Sequence, residues 1–149
     1  MVRLLTKLAA VALAVASSLG PIAVSGARAA DAAKGRSVFA SQCSICHSNS
    51  RNGPVVVGPP LFGVVGRRAG TVASFNYSGA MKAAGFVWTP DRLKSYLPGP
   101  TAYLPGVKMT YPGLKNPDQL EDLIAYLETL QSPQQPQPQL VKIKSAEKS

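Results

Sequence analysis

The chain has 149 residues and a mass of 15.6 kDa, room for one ordinary domain with length to spare at its ends, which excludes a multidomain enzyme. Sixteen Lys and Arg against seven Asp and Glu give a formal charge of +9, but residues 30–131 hold ten basic and six acidic side chains, a surplus of +4 that is too small to argue for nucleic acid. A single histidine and two cysteines exclude multi-histidine metal sites, triads that need a second imidazole, and a disulfide framework.

Residues 1–29 read as an export signal. Arg3 and Lys7 form the charged start, Leu8 to Leu19 is a largely apolar run, and Ala27-Arg28-Ala29 supplies small residues around a cleavage point after Ala29 or Ala30. The apolar run is shorter than the ~20 residues that span a bilayer and is broken by Gly20 and Pro21, which sets the alternative of an uncleaved membrane anchor second. The expectation is an exported, periplasmic protein with a domain over residues 30–131.

Asp31 is placed to cap a first helix through Val38, Phe39 and Gln42, with Phe39 and Ile45 on or near its buried side. Gly35 within it costs roughly 1 kcal/mol against alanine, so another backbone is expected to approach there. From Ser48 to Asn76 no helical or strand period is sustained, and eight Gly and Pro residues interrupt the segment. A stretch of that length without structure is improbable in a compact domain unless it wraps a cofactor. Met81 falls in a short helix over Ser78 to Ala84, as core filler. A further helix starts at Thr89-Pro90 and runs past Leu93 and Tyr96 until Gly99-Pro100. The last has Asn116 as its cap, Pro117 in its first turn and a stripe of Leu120, Leu123, Ile124, Leu127 and Leu130. Asp118, Glu121, Asp122 and Glu128 are expected on its solvent side. Residues 132–149, Pro-Gln alternation followed by a Lys-rich run without aromatics, read as a disordered tail.

Cys43-Ser44-Ile45-Cys46-His47 carries the chemistry. Two thiols two residues apart at a helix end can add to the two vinyl groups of a haem, and the adjacent imidazole can ligate its iron from one face. Shuffling this composition would place both cysteines and the only histidine in this pattern roughly once in ten thousand trials, so chance does not account for it. A haem would also supply the apolar plate around which the Gly/Pro-rich segment closes. For the sixth iron position the residues offer Met81, Met109, a lysine or an open site. Met109, in the turn-rich run Tyr103 to Met109, is the one able to fold over the far haem face.

From Asp31 to Leu130 the chain resembles the class I c-type cytochromes, in particular mitochondrial cytochrome c and its short bacterial periplasmic relatives. The resemblance rests on Gly35 and Phe39 ahead of the haem motif, Gly58-Pro59-x-Leu61, Gly66-Arg67-x-x-Gly70, Phe75-x-Tyr77, Gly85-x-x-Trp88, Tyr96-Leu97, Tyr103-Leu104-Pro105-Gly106-x-Lys108-Met109 and Leu123-Ile124-x-Tyr126-Leu127. It implies an all-α cytochrome c fold: three main helices, short helices and long loops around one covalently bound haem c. It further implies thioethers to Cys43 and Cys46, axial ligands His47 and Met109, and the Pro59 carbonyl accepting the ring N–H of His47. Arg67, Tyr77 and Trp88 would surround a buried propionate, and Tyr96 would reach the Met109 sulfur. Two positions depart from the family's pattern: Met81 stands where relatives carry asparagine, and Val107 where they carry threonine. Gln42, Thr101 and Ala102 stand where close relatives carry lysine, while Lys108 and Lys115 are kept.

The function expected is a soluble, monomeric periplasmic electron carrier, not an enzyme. It would move single electrons from a quinol-oxidising complex or a periplasmic dehydrogenase to an oxidase or photosynthetic reaction centre. The competing readings are a membrane-tethered carrier and, if iron has an open position, a ligand-binding or peroxidase-like haem protein.

Overall fold

The computed structural model describes residues 28–131; most of the expected export signal over residues 1–29, and the expected tail over residues 132–149, lie outside the described residues. Five helices follow in order: α1 (Ala32–Gln42), α2 (Gly79–Ala83), α3 (Pro90–Tyr96), α4 (Pro100–Tyr103) and α5 (Pro117–Thr129). Among the described residues there is no strand, only isolated bridges between His47 and Val55 and between Arg68 and Val87. None of these helices is long and apolar enough to cross a membrane.

Four of the five helix starts are fixed by a side-chain cap of the expected chemistry. The Asp31 carboxylate accepts from the amides of Ala33 and Lys34, and the Ser78 hydroxyl from Met81. Thr89 accepts from Arg92, and Asn116 from Gln119, with Pro90 and Pro117 supplying preset first-turn backbone. The exception is α4, where Gly99 offers no side chain and Pro100 opens a single turn. The third helix ends ahead of Gly99-Pro100 as expected, and Pro100 then opens this extra turn, because a proline that stops one helix is also well suited to begin the next.

The frame of the fold is the crossing of α1 over α5. A Cβ on Gly35 would sit 1.8 Å from the Asp122 carbonyl oxygen and 2.8 Å from the Tyr126 Cβ, so the two backbones are in contact and only glycine fits. Phe39 packs its ring against Tyr126 at 5.6 Å between centroids, and Leu123, Ile124 and Leu127 are buried beside it. α3 is held to α5 by a Lys94–Glu121 ion pair of 2.7 Å. The irregular segment is tied down by backbone bonds at its turns: the Gly63 amide donates to the Leu130 carbonyl, Gly66 to Trp88, Ala69 to Phe86, and Trp88 back to Arg67.

Two expectations on these elements are corrected. Ile45 is 79% exposed rather than on the buried side, because α1 ends at Gln42 and the helical period no longer applies beyond it. Asp122 is 4% exposed rather than solvent-facing, because α5 turns that position toward the start of α1.

Candidate functional site

The helices and the irregular segment enclose a cavity of about 420 Å³ with mainly apolar walls. Cys43, Cys46 and His47 line one side of it, and Met81, Val107 and Met109 line it as well. The first three come from the end of α1, where the amides of Cys46 and His47 both donate to the Cys43 carbonyl and wind the chain into a tight turn. That turn brings both thiols and the imidazole to the same opening.

The imidazole is fixed in orientation. Its Nδ1 is 2.7 Å from the Pro59 carbonyl oxygen, which can only accept, so Nδ1 carries the proton and Nε2 keeps its lone pair. Gly58 packs against the ring: a Cβ there would meet the imidazole Cε1 at 2.3 Å. Burial, reinforced by the nearby Arg67 cation, lowers the His47 pKa, and the bond to Pro59 opposes that shift only in part. The ring is therefore neutral at pH 7, the state in which it can ligate a metal. Burial likewise pushes the Cys43 thiol up to about 11, so it is protonated near neutral pH.

Met109 is reached from the other side. The Tyr96 hydroxyl, on α3, donates to its sulfur at 3.5 Å, and burial pushes the Tyr96 phenol up to about 12. Tyr96 is held edge-on to Trp88 at 4.8 Å and to Tyr103 at 5.7 Å. Met81, buried in α2, shares the cavity but has no hydrogen bond to its sulfur among the described residues.

Arg67 lines the cavity with its guanidinium donating to the carbonyls of Pro60 and Phe62 at 3.0 and 3.1 Å. Burial lowers its pKa without threatening its charge. Tyr77 and Trp88 line the same region, and desolvation raises the Tyr77 phenol while the Arg67 cation opposes this. All nine residues singled out from the sequence are thus at the cavity or against it. Two that line the cavity, Gln42 and Tyr111, were not assigned a site role from sequence: the Tyr111 hydroxyl donates to the Gln42 side-chain oxygen at 2.5 Å across the rim. No local pattern links residues 69 positions apart, so only the fold reveals the pair.

The donor set suits a haem. The walls are apolar, two thiols sit at the opening, a neutral imidazole nitrogen and a thioether sulfur share the cavity, and a guanidinium lies within it. Gly58 leaves room beside the imidazole that any side chain would fill.

Comparison with known proteins points the same way. The family model for cytochrome c matches residues 32–131. Cytochrome c2 of Rhodopila globiformis is 46% identical over 100 residues, covering 67% of this chain and 93% of that protein. Cytochrome c 2.1 of Caenorhabditis briggsae is 46% identical over 100 residues, with 67% and 88% covered. Cytochrome c of Guizotia abyssinica is 43% identical over 101 residues, with 68% and 91% covered. With helices crossed at Gly35, a cavity built for haem, and a family match over the whole of that region, the chain belongs to the cytochrome c family and carries a covalently attached haem c as an electron carrier.

Proposed function

We propose that this is a soluble periplasmic carrier, not an enzyme, that holds its haem through Cys43 and Cys46 and ligates the iron with His47 and Met109. The observation that carries this reading is the pair of ligand atoms at one cavity, the unprotonated Nε2 of His47 and the Met109 sulfur positioned by Tyr96. When bound, the haem supplies one-electron exchange between ferrous and ferric iron. The chain's own residues determine the rest. His47 and Met109 would occupy both positions on the iron and leave none for substrate, and Arg67 would compensate negative charge among mainly apolar walls. A thioether ligand favours ferrous iron and raises the potential. This suits a quinol-oxidising complex or a periplasmic dehydrogenase as donor, and an oxidase or photosynthetic reaction centre as acceptor.

Three measurements on the purified holoprotein test the reading. A weak sulfur-to-iron charge-transfer band in the ferric spectrum and no carbon monoxide binding when reduced are expected. Membranes of the source organism should reduce and reoxidise it. Carbon monoxide binding by the native protein would instead favour a ligand-binding haem protein.

A further inference from the structure

One buried charged group does not line the haem cavity and takes no part in its chemistry. Asp122 is 4% exposed, at the point where α5 passes under the first turn of α1. A buried carboxylate must be compensated or it is costly. Its partners all lie at the start of the described chain: the Asp31 amide donates to Oδ1 at 2.7 Å, and Nη2 of Arg28 bridges both oxygens, at 3.0 Å to Oδ1 and 2.7 Å to Oδ2. The Arg28 bond is the main reason that the Asp122 carboxyl is held below the usual carboxylate range. Other charged groups nearby are few; Lys34 adds a weaker attraction and is itself 4.0 Å from Asp31. A cut after Ala29 or Ala30, the one expected from Ala27-Arg28-Ala29, would discard the only guanidinium on this carboxylate among the described residues. The sequence offers another cut: Ser25-Gly26-Ala27 also presents small residues at the two positions an export peptidase reads, and it leaves Arg28 on the protein.

We propose that the leader is removed between Ala27 and Arg28, making Arg28 the first residue of the exported protein and the fixed counter-charge of the buried Asp122 carboxylate. This rests on the export reading above. The cut is a hydrolysis by a membrane-bound signal peptidase: water adds across the Ala27–Arg28 amide, leaving a carboxyl on Ala27 and a new amine on Arg28. The two residues that a later cut would lose with the leader, Arg28 and Ala29, then serve as a clasp joining the chain's start to α5 beside the Gly35 crossing.

The test uses the protein expressed with its own leader in a bacterium that attaches haem outside the cytoplasm. Intact mass and N-terminal sequencing of the holoprotein should find Arg28 first. A chain beginning at Ala30 or Asp31 overturns the proposal while leaving export intact, and a chain still beginning at Met1 overturns both. Thermal unfolding of the holoprotein adds a second readout. Arg28→Gln should lower the melting midpoint by about 5 °C in the native background and hardly at all when Asp122→Asn is already present. An equal loss in both backgrounds, or none in either, overturns the clasp.

Discussion

The Tyr96 hydroxyl donates to the Met109 sulfur across the haem cavity at 3.5 Å, so the residue proposed to complete the iron's coordination is held by a hydrogen bond from α3 as well as by its own loop. Met81 borders the same cavity without such a partner. Met109→Ala should therefore leave the haem attached but open its sixth position, lowering the potential and admitting carbon monoxide, whereas Met81→Ala should admit none. Visible spectra with and without carbon monoxide separate the two, and an exchange of phenotypes would reverse the ligand assignment.

The same hydrogen bond draws electron density from the sulfur and so disfavours the ferric state. Tyr96→Phe should lower the potential by at most about 40 mV, the equivalent of one neutral hydrogen bond of about 1 kcal/mol. Redox titration of the variant checks this, and a rise in potential would show that the hydroxyl acts in another way.

Met81 and Val107 bring two apolar side chains to the cavity wall, at positions where the family resemblance implied polar ones. An apolar surround lowers the local dielectric and penalises the more highly charged ferric centre. Met81→Asn with Val107→Thr should lower the potential relative to the native protein. An unchanged or higher value in redox titration contradicts the account.

How far the sequence could be read differed from element to element, for physical reasons. Asp31, Thr89 and Asn116 were legible because a cap is a local contact, two or three residues away, whereas the Ser78 cap emerged only from the structure. The haem motif was legible because its spacing is itself the chemistry. Asp122 was not: charge and helical position pointed to solvent, while its burial depends on a partner 94 residues earlier. Gly35 hinted that a backbone would pass close by, without saying which residue of α5 would arrive there. Ile45 was misread because a helical period says nothing past the last hydrogen-bonded turn, and the α4 turn went unseen because a proline marks a start as readily as a stop.

Gly35→Ala tests the crossing itself. Its Cβ would overlap the Asp122 carbonyl, a backbone atom that cannot swing aside. Alanine gains about 1 kcal/mol in helix propensity, but the overlap forces α1 and α5 apart, an overpacking cost of about 1–3 kcal/mol or more. Net destabilisation is expected, measured by guanidinium unfolding of the holoprotein. A more stable variant would show that the helices can separate freely.

The Asp122 carboxyl also sets an acid limit. Its folded pKa is depressed below 3.8, so its contribution is complete above that value and is lost as the pH falls through the folded pKa. Asp122→Asn should melt lower than the native protein at neutral pH, and the gap should close in strongly acidic solution. Parallel melting curves at all pH values would deny the carboxylate this role.

The last prediction concerns the surface through which electrons leave. Lys108 donates its ammonium to the Asn76 carbonyl at 2.8 Å, and Lys115 donates to the Pro98 carbonyl, so both retained lysines are turned onto their own chain. Among the residues lining the cavity, the exposed apolar side chains are Ile45 and Val57, the latter 70% exposed, with the uncharged Gln42–Tyr111 pair at the rim. Ala102 is exposed as well, and Val107 is half-buried at the cavity wall. Electrostatic steering raises association rates by roughly 10 to 1,000-fold and fades steeply with ionic strength. A mouth with few free cations should give a shallow salt dependence, and Val57→Lys should make it steeper by restoring a charge beside the opening. The Lys142 to Lys148 run could supply attraction of its own, so the chain shortened by residues 132–149 is the necessary control. Stopped-flow electron transfer to the native partner across a salt series measures all three proteins. A steep dependence that survives removal of the tail would mean that charge, and not the apolar rim, governs docking.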